Sequence, residues 1–455
     1  MEISNQTKIE HLLSRAGFGA TATQLEDFKG KSPEKVVKWL LKDADKYESL
    51  LVIDEKNTEV IKKKALRNLL EMKGASPNEI KEKLKEARET EKMTLFWHGH
   101  FACRTRRPLA VQLQNNTLRK YALGKFGDLL LAVAQDPAML QFLNNQQNKK
   151  NSPNENFARE VMELFTLGRG NYTEQDIKEA ARAFTGWTAN LQGEFVFRTN
   201  QHDSGSKTFQ GRTGNFNGED ILKIILQNPQ TALFISTKIY RYFVNENVDN
   251  QAVKDMAKRF QSTNYDIADL MEYVFKSDWF YRSENIGTRI KSPIELLVGL
   301  QRKFSIDFQQ KQSVLFVQKS LGQILFYPPN VAGWSGGKNW IDSSTLMTRM
   351  KLPEIIFKDS EISFKTKDDG DADTEHLSKR INRMQAFIDW NKLQNQLLVG
   401  NQNLVETLEK YLLLRPLTSQ QKEMIIKKIG ENNTGIEAIK TVAQAITSLP
   451  EYQLC

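Results

Sequence analysis

The chain reads as mainly α-helical, and three observations carry that reading. Apolar residues recur at three- and four-residue intervals over long stretches with lysine and glutamate between them, the period of helices that bury one face. Helix-start signals stand ahead of those stretches, either Ser-Pro or a threonine followed three residues on by a carboxylate. Apolar–polar alternation, the mark of a strand, is confined to one short region around Phe195-Val196-Phe197. The expected architecture is one large multi-helix domain over residues 1–357 with a small β-hairpin and loop insertion, an acidic linker or mobile loop over 358–375, and a C-terminal helical unit over 376–455.

Each element follows from local chemistry. Residues 33–51, 58–73 and 78–97 carry helical periodicity. Ser32-Pro33-Glu34 and Ser76-Pro77-Asn78 place a cap before a proline, whose fixed φ and missing N–H suit the first helical position. "NEIKEKLKEARETEK" interleaves acid and base, as a solvated helix face with ion pairs four residues apart does. "NSPNENFAREVMELFTLG" opens on the same Ser-Pro signal and stops at Gly168. "YTEQDIKEAARAFTGW" opens on Thr173 with Asp176 three residues on, and ends near Gly186. Between 188 and 217 the chain turns rich in glycine, asparagine and serine, which predicts a short hairpin and an ordered loop. Helices resume from Glu219 to about Ser320. "YPPNVAGWSGGKNWIDSSTL" is a second glycine-rich loop, with Ser343 or Ser344 capping the helix after it.

Composition narrows the function. A formal charge of +9, from 64 basic and 55 acidic residues, is modest for 455 residues and gives no reason to expect nucleic acid. The two cysteines, Cys103 and Cys455, exclude a disulfide framework and a CxxC metal site, while a single bridge between them stays open. No apolar run is long enough to span a bilayer. The N-terminus lacks a basic segment followed by an apolar one, so the cytoplasm is the default expectation.

Several motifs invite chemistry. Asp369, Asp371 and Asp373 are spaced as in a calcium loop, but Thr374 stands where glycine is required. "GWSGGKN" resembles a phosphate loop with the wrong glycine spacing and Asn339 in place of Ser/Thr. His98-Gly99-His100 is the sharpest pair. On an ideal helix side chains two apart diverge by about 200°, so these chelate one ion only if Gly99 breaks the helix. Otherwise one faces a site and the other supports it. Glu160 and Glu163 share a face with Asn156 and, if buried, must be paired, hydrogen-bonded or metal-bound. His202 and Asp203 stand in a glycine-flanked loop. A structural alternative has Arg159 and Arg182 neutralising Glu160, Glu163 and Glu179 in a buried network.

The segments "HLLSRAGFGAT", "FWHGHFA", "NENFAREVMELFTLG", "YTEQDIKEAARAFTGW", "HDSGSKTFQG" and "PPNVAGWSGGKNWIDSSTL", in this order, resemble the bacterial family catalogued as domain of unknown function eighteen hundred. The resemblance runs from about His11 to the closing "PEYQLC". It implies a helical bacterial protein, often encoded beside a partner similar to alkaline phosphatases and sulfatases that often carries an export signal. Export in the folded state with such a partner is therefore the alternative to a cytoplasmic location.

The leading expectation is a metal-dependent enzyme, a hydrolase or oxidoreductase. His98, His100 and His202 would be ligands to zinc, iron or manganese, with Glu160, Glu163 or Asp203 completing the site. The alternative is a non-enzymatic scaffold with a structural arginine–carboxylate core that binds a protein partner through Trp187, Trp334 and Trp340. A third reading has those indoles binding an envelope glycan.

Overall fold

The computed structural model describes residues 3–42, 49, 88–190, 193–362, 383–398, 403–430 and 435–455. The expected helix at 58–73, the Ser76-Pro77-Asn78 start, the calcium-like aspartates and His376 lie outside the described residues. The fold is mainly α, and the sheets among the described residues are two-stranded. No helix among the described residues is long and apolar enough to cross a membrane.

Helices α1 (Asn5–Ala16), α2 (Ala22–Asp27) and α3 (Pro33–Leu41) open the chain. Pro33 takes the first helical position as its sequence context predicts. Helix α4 (Arg88–His100) runs through the whole His-Gly-His motif, so Gly99 does not break it. Helices α5 (Pro108–Lys120), α6 (Phe126–Ala134) and α7 (Pro137–Phe142) follow.

Helix α8 begins at Asn156 rather than at Ser152-Pro153. Ser152 is tied back to Lys149 in an antiparallel bridge, and the Asn154 side chain accepts the Asn156 N–H at 3.0 Å, so the first turn forms there instead. After Glu160 the helix widens into a π turn over Val161–Thr166 and terminates at Gly168, whose φ of +79° few side chains adopt. Helix α9 (Glu174–Ala183) carries the predicted box, with Thr173 and Asp176 each accepting the other's backbone N–H.

The region after α9 forms two hairpins where one was expected. Strands β1 (Trp187–Ala189) and β2 (Phe195–Phe197) pair antiparallel, as do β3 (Lys207–Phe209) and β4 (Arg212–Gly214). Helices α10 (Gly218–Gln227), α11 (Pro229–Phe243), α12 (Asn250–Ser262) and α13 (Ile267–Lys276) complete the first layer of packing. Beyond them come α14 (Pro293–Phe304), β5 (Asp307–Phe308), α15 (Lys311–Leu321) and α16 (Ser343–Lys358). The cap of α16 is Asp342, not Ser343 or Ser344; its carboxylate accepts the N–H groups of Ser344 and Thr345 at 2.9 and 2.8 Å. The chain closes with β6 (Ala386–Phe387), which pairs with β5, then α17 (Trp390–Leu397), α18 (Leu404–Leu412), α19 (Ser419–Ile429) and α20 (Gly435–Thr447).

Among the described residues two apolar cores form. One gathers buried residues from Ile9 to Tyr281, the other from Leu296 to Tyr452. The C-terminal helices share the second core with α14–α16. The final residues add an edge: Cys455 and Arg289 exchange backbone hydrogen bonds at 2.8 and 3.2 Å. Cys103 and Cys455 are both buried and free.

Candidate functional site

Helix α4 buries Met93, Phe96 and Trp97 in the first core, and its two histidines face different neighbours. His98 Nε2 accepts the Phe326 N–H at 3.0 Å, and the ring lies edge-on to Trp334 at 5.4 Å. It thereby holds a loop in which Phe326 has a left-handed φ of +66°. His100 Nε2 faces the Phe165 carbonyl at 3.1 Å, so that nitrogen carries the proton, and Nδ1 accepts from Lys238 Nζ at 3.1 Å. Burial lowers His98 to about 4 and drives His100 well below the usual histidine range, with Lys238 adding to the second shift. Both rings are neutral, and they point apart as two residues on an unbroken helix must.

The π turn supplies what His100 and Lys238 bind. Leu164 and Phe165 lie in the last turn before the stop at Gly168, where carbonyls have no partner within the helix. Phe165 O takes His100, and Leu164 O takes Lys238 Nζ at 3.0 Å. Lys238 reaches them from α11, where it also lies 4.8 Å from the centre of the Phe234 ring.

The packing requirement beside the two histidines falls on Gly333, not on Gly99, where a Cβ would meet open space. The glycine-rich loop comes down on α4 so closely that a Cβ on Gly333 would lie 2.3 Å from the Gly99 carbonyl oxygen. Gly333 also has φ +76°, so only glycine fits there without strain. Further along the loop, the Glu246 carboxylate occupies the space a Cβ on Gly337 would need.

Between α4, α11 and this loop opens a cleft of about 580 Å³, within the range of small-molecule sites. Lys238 and buried Arg289 line its inner part, and Arg241, Lys338 and Glu246 stand exposed at its edge. Phe96, Tyr242, Trp334 and Trp340 supply aromatic wall, with the Arg289 guanidinium 5.1 Å from the centre of the Tyr242 ring. Behind Arg289 lies a buried triad in which one Glu295 oxygen takes both Lys92 and Arg289. Burial disfavours the Glu295 carboxylate, but Arg289 and Lys92 outweigh it and hold the group well below the usual range. The other Glu295 oxygen accepts the Ser292 N–H at 2.7 Å and so also caps α14.

The remaining residues named from the sequence lie elsewhere or serve other partners. His202 is half-buried, with Nδ1 3.0 Å from the Thr185 carbonyl and its ring against Phe197. Asp203 takes Arg182 at 2.8 Å, and Arg182 also takes Glu179 at 2.8 Å. The Arg182 hydrogen bonds come first among the causes that hold the Asp203 carboxyl below its ordinary value. Glu163 accepts from the Tyr172 hydroxyl and from Arg169, each at 2.6 Å. Arg159 pairs with Glu174 and Glu155, not with Glu160 or Glu163. Glu160 is half-buried, and desolvation followed by its neighbour Glu163 raises its carboxyl. Among the described residues, no three His, Cys, Asp or Glu side chains come together as a metal would require. Trp187 is core, edge-on to Phe184 and Phe195 at 5.2 and 5.3 Å, so it offers no partner surface. Trp334 and Trp340 do face a site, the cleft.

Lys238, Arg241 and Arg289 were missed in the sequence. The signal for Lys238 and Arg241 was available in "TALFISTKIYRYF", where a lysine and an arginine three apart interrupt an apolar helix; Arg289 lies outside that stretch.

Fold and site define a mainly helical protein with a basic, aromatic-walled cleft between α4, α11 and a glycine-rich loop. The model of the family "Protein of unknown function (DUF1800)" matches residues 11–454, nearly the whole chain, and the chain belongs to that family. No curated protein and no solved structure matched it.

Proposed function

We propose that the protein binds a small anionic ligand with a flat or ring-shaped body in the cleft between α4, α11 and the loop at 332–340. The carrying observation is the lining: Lys238, Arg241 and Lys338 against one carboxylate, Glu246, with Arg289 tied to Glu295 behind them and four aromatic rings beside them. Cations around a cleft with apolar walls concentrate field on an anion. Charge-assisted hydrogen bonds then fix its orientation, while indole and phenyl faces cover the body. This reading gives Trp334 and Trp340 a ligand to stack on in place of a protein partner. It also gives the two histidines positioning work, one on the loop and one on Lys238.

The test is quenching of tryptophan fluorescence by phenyl phosphate, with phenol as the uncharged comparison. Phenyl phosphate should bind at least tenfold more tightly than phenol, and Arg241→Gln should weaken it several-fold. Equal binding of the two probes overturns the proposal. So does a stoichiometric zinc, iron or manganese content in tag-free protein that is lost in His100→Gln, a result that would favour the metal-dependent reading.

A further inference from the structure

We propose that Lys238 is a reactive amine that forms a Schiff base with an anionic aldehyde or ketone held in this cleft. The inference rests on the anion-binding reading and adds a covalent step to it. A neutral lysine amine has two N–H donors and one lone pair. Both donors have fixed acceptors, His100 Nδ1 at 3.1 Å and the Leu164 carbonyl at 3.0 Å. Tetrahedral nitrogen then directs the lone pair away from both. His100 is locked as an acceptor because its other nitrogen donates to Phe165 O. No carboxylate lies within ion-pair distance of Lys238 among the described residues, although the side chain is half-buried and lines the cleft. The other charged or titratable groups lining that cleft are His100, Arg241, Tyr242, Arg289, Lys338 and Glu246, a set that favours an anion beside the amine.

Burial lowers the Lys238 ammonium to about 8. At pH 7 roughly one amine in ten is then neutral, against about 4 in 10,000 for an ordinary lysine. This is the usual way a lysine becomes a nucleophile. In the step itself the lone pair attacks the carbonyl carbon. The two amine hydrogens and the carbonyl oxygen leave as water, and a solvent proton gives the iminium. The single N–H that this proton creates has His100 Nδ1 or Leu164 O to donate to. Nothing is oxidised or reduced.

The experiment treats the full-length protein at pH 7 with glyoxylate, an anionic aldehyde, or with formaldehyde, a neutral one. Cyanoborohydride reduces the imine to a stable secondary amine, which peptide mass mapping locates. Lys238 should label at least tenfold faster than the median lysine, with a midpoint near pH 8. It should also prefer glyoxylate over formaldehyde more strongly than surface lysines do, and phenyl phosphate should protect it. Lys238→Arg, which keeps the charge but not the amine, should abolish the fast adduct. The wild-type map stands by itself if that variant does not fold. Lys238 labelling no faster than surface lysines, while phenyl phosphate still binds, overturns the reactive amine alone. Fast labelling by formaldehyde with no glyoxylate preference and no protection overturns the anionic carbonyl and the cleft reading with it.

Discussion

Acid should loosen the protein through His98, and the size of the effect follows from its surroundings. Its folded-state value is about 4 against an ordinary 6.5 because burial opposes the charge. Between those values the unfolded chain takes up a proton that the folded chain refuses, so stability is present above pH 6.5 and is lost as pH falls toward 4. Integrated between pH 7 and pH 5, the His98 share of that loss is about 2 kcal/mol. His11 and His100 shift in the same direction, largely through burial, and add to the loss. Asp136 and Glu10, raised to about 6 by burial, act with the opposite sign and take up protons on folding over the same range. The total is therefore a mixture, and a difference isolates one residue. His98→Gln offers an uncharged acceptor to the Phe326 N–H and does not titrate. Urea unfolding of wild type and variant at pH 7 and pH 5 gives four free energies. The wild type should lose about 2 kcal/mol more than His98→Gln over that interval. Equal losses, within about 0.5 kcal/mol, would refute the claim that His98 is a buried neutral group holding the loop.

Other outcomes follow from the same packing. Glu295→Gln leaves Lys92 and Arg289 buried without their shared carboxylate and should cost on the order of 3–5 kcal/mol in urea unfolding. Glu163→Gln, whose partner Arg169 is mostly exposed, should cost clearly less. Gly333→Ala drives a Cβ into the Gly99 carbonyl and should weaken phenyl phosphate binding at least tenfold, because the loop carrying Trp334 and Trp340 must move. Gly170→Ala, at φ +84° with open space around it, should leave that affinity unchanged and change only stability, by about 1 kcal/mol. Burial also pushes the Cys103 thiol up to about 12. With Cys455 buried too, a thiol reagent should find no fast-reacting cysteine in the native protein and both in denaturant.

The sequence by itself determined the helical class, because a 3.6-residue apolar period and local caps are written within a few residues of where they act. Thr173 with Asp176, Pro33 and Gly168 did in the structure what their neighbours in sequence imply. Signals that depend on competition were less legible. Ser343 and Ser344 read as caps until the Asp342 carboxylate took the same N–H groups. The Ser152-Pro153 start was displaced by a bridge to Lys149. The site was half legible. His98 and His100 stand out in sequence as a pair flanking a glycine; His100 lines the cleft, while His98 holds the loop at Phe326. Their partners lie far along the chain. Lys238 is 138 residues from His100, and Phe326 is 228 from His98. Whether a buried histidine is a ligand, an acceptor or a prop depends on which group reaches its free nitrogen, and no local pattern encodes that. The π turn at Val161–Thr166 turned two carbonyls toward His100 and Lys238, and the contact of Gly333 with Gly99 closed the cleft. Both are consequences of packing between distant segments, so only the tertiary structure could decide them.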